Sequence, residues 1–182
     1  MKKILIYIVI LIVATSCQEK DVQQAEKATT EGKMIVKVSD PAGSVVHHGY
    51  NGIGERSAEI MDCLAFPGNF GYVTVEAKEG TPERKIPAMV LSGTIPKGKE
   101  VVANPIALLR MKDEGKDFPV IIAVPADSTK QTLRPQNFPD FAVRYAATKH
   151  MIESWFVNSK NTGRISVVAW SDERVANALP DN

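Results

Sequence analysis

Ala65-Phe66-Pro67-Gly68-Asn69-Phe70-Gly71-Tyr72 is the stretch of the sequence that decides the fold. Its proline, glycines and asparagine separate a strand predicted near 59–66 from another near 70–77. Other strands are predicted near 34–38, 86–92, 99–110 and 118–124, and polar loops at 47–57 and 76–85. Several short strands separated by glycine and proline turns favour a small barrel or sandwich.

The pattern becomes helical after Pro125. From Asp140, apolar residues recur at steps of three or four, which predicts an amphipathic helix that ends at 161–163. An alternating strand follows over 165–169, and Ser171 is predicted to cap a short C-terminal helix. Strands first and helices last indicate an α+β domain.

The N-terminus has the pattern of an export signal. Lys2 and Lys3 precede the apolar run Ile4–Val13, which is too short to span a bilayer and fits a signal-peptide core. Ala14-Thr15-Ser16-Cys17 resembles a bacterial lipoprotein box, in which the cysteine is lipidated and becomes the first mature residue. An ordinary signal peptide cut nearby is the alternative. Either interpretation predicts export, and the lipoprotein interpretation predicts a membrane-anchored protein of the bacterial cell envelope, on its periplasmic or surface side.

Three segments follow from this pattern: a lipoprotein signal peptide at 1–16, a flexible tether at 17–32 and a folded domain at 33–182. Without the signal peptide the Lys and Arg count falls from 22 to 20 against 21 acidic residues, so the net charge becomes −1. Such a chain lacks the basic excess that nucleic acid attracts, and nucleic acid is not an expected partner. The remaining cysteine, Cys63, lies in an apolar stretch and is interpreted as a small buried side chain.

Four blocks, in order, resemble the soluble (family I) inorganic pyrophosphatases. Residues 65–72 are similar to the family's F-Y-P-x-N-Y-G-Y, and 95–125 to its L-x-P-G-x-x-I/V and M-x-D-E-x-G-x-D-x-K-x-x-A-V-P segment. Residues 150–153 are similar to H-F-F-E, and 163–170 to a closing strand that ends in G-W. The resemblance implies an OB-like twisted five-stranded β-barrel with C-terminal helices packed outside. It also implies an inorganic diphosphatase, a hydrolase that uses Mg²⁺.

The family's magnesium-binding aspartates are largely replaced in this chain. Magnesium prefers carboxylate oxygens, neutralises the phosphoryl charge and lowers the pKa of the attacking water. The three aspartates of the family loop D-G-D-P-x-D-V fall on Arg84, Ile86 and Met89. In the later segment Asp113 matches an aspartate and Glu114 the acid beside it.

The remaining family positions are also altered. The second aspartate of the later segment falls on Phe118, one place after Asp117, and the following lysine falls on Val120. Among phosphate-contacting positions, two tyrosines fall on Phe66 and Phe70, and a Tyr-Lys pair falls on Trp155–Phe156. Tyr72 keeps its hydroxyl. Acidic and hydroxyl side chains are replaced mainly by apolar ones, which indicates that the magnesium and phosphate site of the family has been lost.

Two functions remain open. The first is a catalytically degenerate binding or structural module without a cofactor, whose ligand or partner is unknown. The second is an active Mg²⁺-dependent diphosphatase with a rebuilt metal site. Its candidate metal ligands are Asp113, Glu114 and Asp117, assisted by Glu76, Glu79 or Glu83, and its weak catalytic candidates are Asp113, Asp117 and Tyr72.

Other polar groups allow weaker interpretations. Four basic residues could edge an anion site or form a solvated face: Arg84, Lys85, Arg110 and Lys112. The hairpin-like run 112–117 could equally be a solvated tip. His47, His48 and His150 could in principle bind a transition metal, although adjacent histidines on a strand point to opposite faces.

Overall fold

The computed structural model describes residues 32–50, 56–61, 64–75, 84–158 and 165–178, with side chains except at 47–50, 56–61 and 75. The strands are β1 (Met34–Asp40), β2 (Val46–Tyr50), β3 (Arg56–Met61), β4 (Asn69–Val75), β5 (Arg84–Val90), β6 (Glu100–Asp113), β7 (Lys116–Pro125) and β8 (Ile165–Asp172). The helices are α1 (Phe138–Arg144), α2 (Ala146–Asn158) and α3 (Glu173–Ala178), and a 3-10 turn spans Ser128–Lys130. All of these elements lie in one compact unit, Lys33–Asn182.

Five strands close into a barrel. Their order is β1-β4-β5-β7-β6, and β6 pairs back with β1 from Met34↔Ala103 to Lys37↔Glu100. The neighbours are antiparallel except for the parallel pair β5–β7. The strand β8 pairs with the second half of β6 as a sixth strand outside the ring, and β2 and β3 form a separate hairpin. The predicted α+β fold, an OB-like five-stranded barrel with C-terminal helices, is therefore confirmed.

The long strand β6 separates two apolar clusters. Ala103 belongs to an inner core inside the barrel and Ala107 to an outer core under α1 and α2. Residues four apart in a regular strand would share a face, but a bulge between Pro105 and Ala107 reverses the sides. The inner core consists of Met34, Val36, Val73, Ile86, Ala88, Val90, Ala103, Leu108, Ile121, Ala123 and Ala176. The outer core consists of Phe66, Phe70, Met89, Leu91, Ile106, Ala107, Leu109, Met111, Val120, Ile122, Val124, Phe141, Ile152, Trp155, Phe156 and Ile165.

The fully buried side chain of Asn69 joins three segments of the chain at the start of β4. Its Oδ1 accepts hydrogen bonds from the backbone N–H of Ala42 (3.1 Å) and Ile95 (2.7 Å). Its Nδ2 donates to Ser92 Oγ and to the carbonyl of Gly93, both at 3.0 Å. A buried amide with its donors and acceptor satisfied fixes the loops that follow β1 and β5.

Gly71 allows β4 to approach β1 more closely than any other residue would. A Cβ atom at this position would lie 2.1 Å from the carbonyl oxygen of Lys37 and 3.0 Å from Cα of Val38. Both of these atoms belong to the backbone of β1, which cannot move away without disturbing the barrel. The glycine is therefore required by the packing of the two strands rather than by a turn.

The helical region begins earlier than predicted and is divided in two. Asn137 caps α1 by accepting from the N–H of Asp140 (2.9 Å), so the start predicted at Asp140 was wrong by two residues. The backbone dihedral angles of Tyr145 (φ −117°, ψ 32°) are not α-helical, and this residue separates α1 from α2. The predicted cap of the C-terminal helix was also wrong. Ser171 belongs to β8, and the Asp172 carboxylate accepts from the N–H of Arg174 and Val175 instead.

The loop predicted at 47–57 was wrong at 47–50 and 56–57, which are strand, whereas 51–55 lie outside the described residues. Residues 46–50 and 56–61 pair as an antiparallel hairpin, and the register shifts between His48 and Tyr50. Gly49 lies in β2 opposite a bulge in β3, where Ser57 and Ala58 oppose this one residue, so a residue that suggested a loop lies inside a strand.

None of the described helices combines the length and the apolar content needed to cross a membrane.

Gly71→Ala is expected to lower the free energy of unfolding by about 3 kcal/mol, because the methyl group would overlap the backbone of β1. Urea denaturation followed by far-UV circular dichroism would measure the loss. Gly93→Ala is the matched control, since nothing lies within 4 Å of its Cβ position, and it should change stability by less than about 0.5 kcal/mol. Equal effects of the two variants would contradict the close approach of β4 and β1.

Candidate functional site

Four positions that the family resemblance assigns to phosphate-contacting residues lie together in the outer core. The ring centroids of Phe66 and Phe70 are 5.7 Å apart, and those of Phe66 and Trp155 are 4.7 Å apart. Phe156 lies 6.3 Å from Phe70 and 5.0 Å from Trp155. None of the four is more than 8 % exposed. The rings pack on one another as a core, and we call them the aromatic cluster.

Local structure on both sides holds the aromatic cluster. The N–H of Phe66 donates to the carbonyl of Ser44 (3.0 Å), and the carbonyl of Phe66 accepts from Gly43 (2.9 Å). Phe70 lies in β4 one residue after Asn69, and its side chain faces the outer core. On the opposite side, Trp155 and Phe156 lie on the buried face of α2.

The positions of the three loop aspartates are divided between the two sides of the sheet. Met89 is fully buried in the outer core, where it pairs with Phe70 across β4 and β5. Ile86 pairs with Val73 and lies in the inner core. Arg84 is exposed at the start of β5. Met89 therefore lies in the outer core with the aromatic cluster, at the site that the family resemblance implies. Ile86 lies on the opposite side of the sheet, in the inner core.

The hairpin of β6 and β7 separates the remaining acids. Glu114 and Gly115 form a two-residue turn with positive φ angles of 52° and 83°, so Asp113 pairs with Lys116 and Lys112 pairs with Asp117. Paired residues share a face and successive residues alternate. Asp113 therefore lies on the side of Met111 and the outer core, and Asp117 lies on the opposite side. The two aspartates do not converge on one ion.

Apolar side chains take the other two family positions on this hairpin. Phe118 pairs with Met111 and is half-buried against the outer core. Val120 is fully buried in the outer core. Together with Met89 and the aromatic cluster, these residues cover the face that the resemblance assigns to magnesium and diphosphate.

The four basic candidates do not form one group. Strand alternation places Lys85 on the outer side of the barrel, where its Nζ lies 5.0 Å from the centroid of the Tyr72 ring. The same alternation places Arg84 on the side of Ile86, and Arg110 and Lys112 on the side of Leu108, which is the inner side of the sheet. Only Lys85 shares a side with Tyr72.

The described residues do not fit the magnesium centre that the family resemblance implies. Within the described ranges, no group of three or more His, Cys, Asp or Glu side chains could hold a metal ion. The assisting acids Glu76, Glu79 and Glu83 lie outside the described residues, as do Cys17, Cys63 and the side chains of His47 and His48.

A half-buried contact that the sequence did not predict fixes α2 beside the aromatic cluster. Glu153 accepts hydrogen bonds from Lys149 Nζ (2.7 Å) and Trp170 Nε1 (2.5 Å), and Lys149 lies over the Trp170 ring. Burial acts to raise the pKa of Glu153, but the hydrogen bonds from Lys149 and Trp170 outweigh it and the pKa is lowered. The spacing of Lys149 and Glu153, four residues apart on a helix, was the available signal.

Comparison with known proteins agrees with this architecture. The family model described as inorganic pyrophosphatase matches residues 21–179. The chain belongs to the inorganic pyrophosphatase family. No curated protein matches the chain by sequence.

Solved structures of inorganic pyrophosphatases share the fold at low identity. The enzyme of Thermus thermophilus is 22 % identical, with a TM-score of 0.62 over 81 % of this chain and 87 % of its own. The inorganic phosphatase of Anaplasma phagocytophilum is 21 % identical, with a TM-score of 0.63 over 84 % and 91 %. The inorganic pyrophosphatase of Coxiella burnetii is 19 % identical, with a TM-score of 0.61 over 80 % and 89 %. Similarity at this level shows that the chain has the pyrophosphatase fold, and it does not establish the activity.

Restoring the family's tyrosines tests whether the aromatic cluster is a core or a cleft. Phe66→Tyr and Phe70→Tyr are each expected to lower the free energy of unfolding by about 1–3 kcal/mol, because each hydroxyl would be placed among buried rings. Phe138→Tyr is the control, since Phe138 is half-buried and stacks on Trp170 at the margin of the outer core, and it should cost about 0.5 kcal/mol or less. Neutral or stabilising effects at Phe66 and Phe70, measured by urea denaturation, would indicate an open cleft.

Proposed function

We propose that this member of the inorganic pyrophosphatase family does not hydrolyse diphosphate and acts as a binding or structural module of the bacterial cell envelope. It is attached to the membrane through a lipid on Cys17.

The aromatic cluster is the observation that carries this proposal. Diphosphate hydrolysis requires metal ions to neutralise the phosphoryl oxygens and to deprotonate the attacking water. The described part of the old site instead presents the rings of Phe66, Phe70, Trp155 and Phe156 together with Met89. Apolar side chains offer no ligand to a hard cation and lower the dielectric constant around it. Loss of a factor of about 10⁶ in rate corresponds to about 8 kcal/mol of transition-state stabilisation.

The alternative, a hydrolase with a rebuilt metal site, has less support. It needs Asp113, Glu114 and Asp117 to act together, but alternation along the hairpin directs Asp113 and Asp117 to opposite sides. A single carboxylate on the outer side would leave most of a magnesium ion's coordination to water.

The N-terminal sequence supports the location. The apolar run ends in Ala14-Thr15-Ser16-Cys17, and a lipidated cysteine would hold the domain at a membrane surface. Diphosphate is produced chiefly in the cytoplasm, so an exported hydrolase would meet little substrate. This location favours a role other than diphosphate removal.

Phosphate release from magnesium diphosphate tests the proposal. The full chain, purified in detergent, is expected to release phosphate no faster than its Asp113→Ala variant at any magnesium or manganese concentration tested. Asp113 is the retained family aspartate on the outer side, so it is the residue on which any remaining activity should depend. Lys130→Ala, at an exposed position on the 3-10 turn, is the control for an unspecific effect of substitution. Metal-dependent turnover that disappears in Asp113→Ala and survives in Lys130→Ala would overturn the proposal.

A further inference from the structure

The solvent-facing side of α2 carries no Lys, Arg, Asp or Glu, and every residue of this helix is described. The ion pair of the helix, Lys149 and Glu153, lies toward β8, where both side chains contact Trp170. A surface helix usually turns its charged residues to solvent. The residues that α2 turns to solvent, which we call the α2 face, are Ala146, Ala147, His150, Met151, Ser154, Val157 and Asn158.

Small and larger side chains follow one another along the middle of the α2 face. Ala147, Met151, Ser154 and Asn158 are separated by four, three and four residues, which is the spacing at which one helix meets another. Met151 is 46 % exposed. The Nδ2 of Asn158 donates to the carbonyl of Ser154 (2.7 Å), so this amide has a partner within its own helix. The line therefore offers a packing surface without charge.

We propose that the α2 face is the contact surface of a homodimer, in which α2 packs antiparallel on α2 of a second copy. A twofold axis midway between Met151 and Ser154 places Met151 of each chain opposite Ser154 of the other, and Ala147 opposite Asn158. Each larger side chain then faces a smaller one, as close packing of two helices requires. The α2 face is thus complementary to itself.

The absence of charge favours a second copy as the occupant. Identical faces that carried lysines or carboxylates would repel each other, whereas the α2 face meets its copy without a like-charge pair. His150 lies at the edge of the face, and its Nδ1 is 3.7 Å from Oε2 of Glu153 in the same chain. The formal net charge of the whole chain is only +1, so repulsion at long range is small. A charged protein partner would find no complementary group on this face.

The size of the side chains argues against a bilayer. A helix that lies in a membrane interface usually carries large groups such as Trp, Phe or Leu on its apolar side and is rich in Lys and Arg on the other. The α2 face has only Met151 and Val157 as sizeable apolar groups, and Ala146, Ala147 and Ser154 are small. Small residues instead allow two helices to approach to an interaxial distance of about 8 Å.

The contact is small, so the dimer is expected to be weak. α2 has 13 residues and is about 20 Å long. Two such helices bury on the order of 1,000 Å² or less, which is below the standard size of a stable interface. Weak association is sufficient for chains that are concentrated at a membrane surface, and this last step rests on the lipid anchor proposed at Cys17.

Sedimentation of the full chain in detergent tests the dimer. The native chain is expected to pass from one to two chains per particle as its concentration rises toward about 1 mM. Met151→Lys should raise the dissociation constant at least about tenfold, because the two ammonium groups would lie within about one helical turn of each other across the twofold axis. Val175→Lys is the matched control and should change the constant less than about twofold. Val175 is 45 % exposed on α3, whose Ala176 packs in the inner core on the other side of the sheet.

Mixing variants of opposite charge separates a direct contact from a general effect of substitution. Met151→Glu alone should dissociate as Met151→Lys does. An equimolar mixture of the two should form a mixed dimer that is captured through two different affinity tags, because opposite charges then meet at the axis. In dilute solution the urea midpoint of each variant should match that of the native chain, since Met151 is exposed in the monomer.

Oxidation of Met151 to its sulfoxide reports which molecule covers the face. In phosphatidylcholine vesicles the oxidation rate of the native chain should fall as the number of chains per vesicle rises. Protection that is independent of the number of chains would indicate a bilayer and would overturn the proposal. A native chain that stays monomeric at every concentration would also overturn it. So would equal dissociation of Met151→Lys and Val175→Lys, or a mixture of the two Met151 variants that does not associate.

The outcome is independent of the enzymatic question and of the anchor. Phosphate release would refute the proposed non-hydrolytic role and leave the sedimentation result unchanged. The mass of the N-terminal peptide reports lipidation at Cys17, so loss of the anchor and loss of the dimer appear as separate results.

Discussion

The hydrogen bonds of one buried amide, the side chain of Asn69, hold together the part of the molecule from which the site is built. They connect the start of β4 to the loops after β1 and β5, while Gly71 lets β4 contact the backbone of β1. These constraints direct Phe66 and Phe70 toward α2. The same block therefore closes the barrel and sets the outer face, so its residues are required by the architecture whatever chemistry that face performs.

A catalytic cleft and an apolar core place opposite demands on the same positions. A cleft for diphosphate needs buried or half-buried acids and hydroxyls, which destabilise a fold unless metal and substrate satisfy them. In this chain those positions carry rings and aliphatic side chains that contact one another, with Glu153 and Trp170 fixing the helix on the far side. The contacts among these apolar groups stabilise the fold without metal or substrate.

The sequence was sufficient to predict the barrel and its helices, because the 66–72 block and the later strands carry family-specific spacings. Features that depend on the pairing register of the strands could not be predicted from the sequence. The three-residue spacing of Ile86 and Met89 already implied opposite faces, but which side was buried under the helices depended on pairing with Phe70. The separation of Asp113 from Asp117 depended on a two-residue turn at Glu114, since a turn one residue longer would have changed the pairing. Gly49 suggested a loop, but it lies within β2 opposite a bulge that is formed by β3, which only the pairing of the two strands reveals.

The change in thermal stability on adding ligand measures most directly whether the face covered by the aromatic cluster binds magnesium together with a diphosphate. Thermal unfolding of the full chain would be followed with magnesium and methylenediphosphonate, a diphosphate analogue that cannot be hydrolysed, together and separately. A ligand present at a hundred times its Kd would add about 2.7 kcal/mol to the stability of the native state. A site filled by the aromatic cluster predicts no change in Tm. A rise of several degrees that requires both components and is abolished by Asp113→Ala would contradict it.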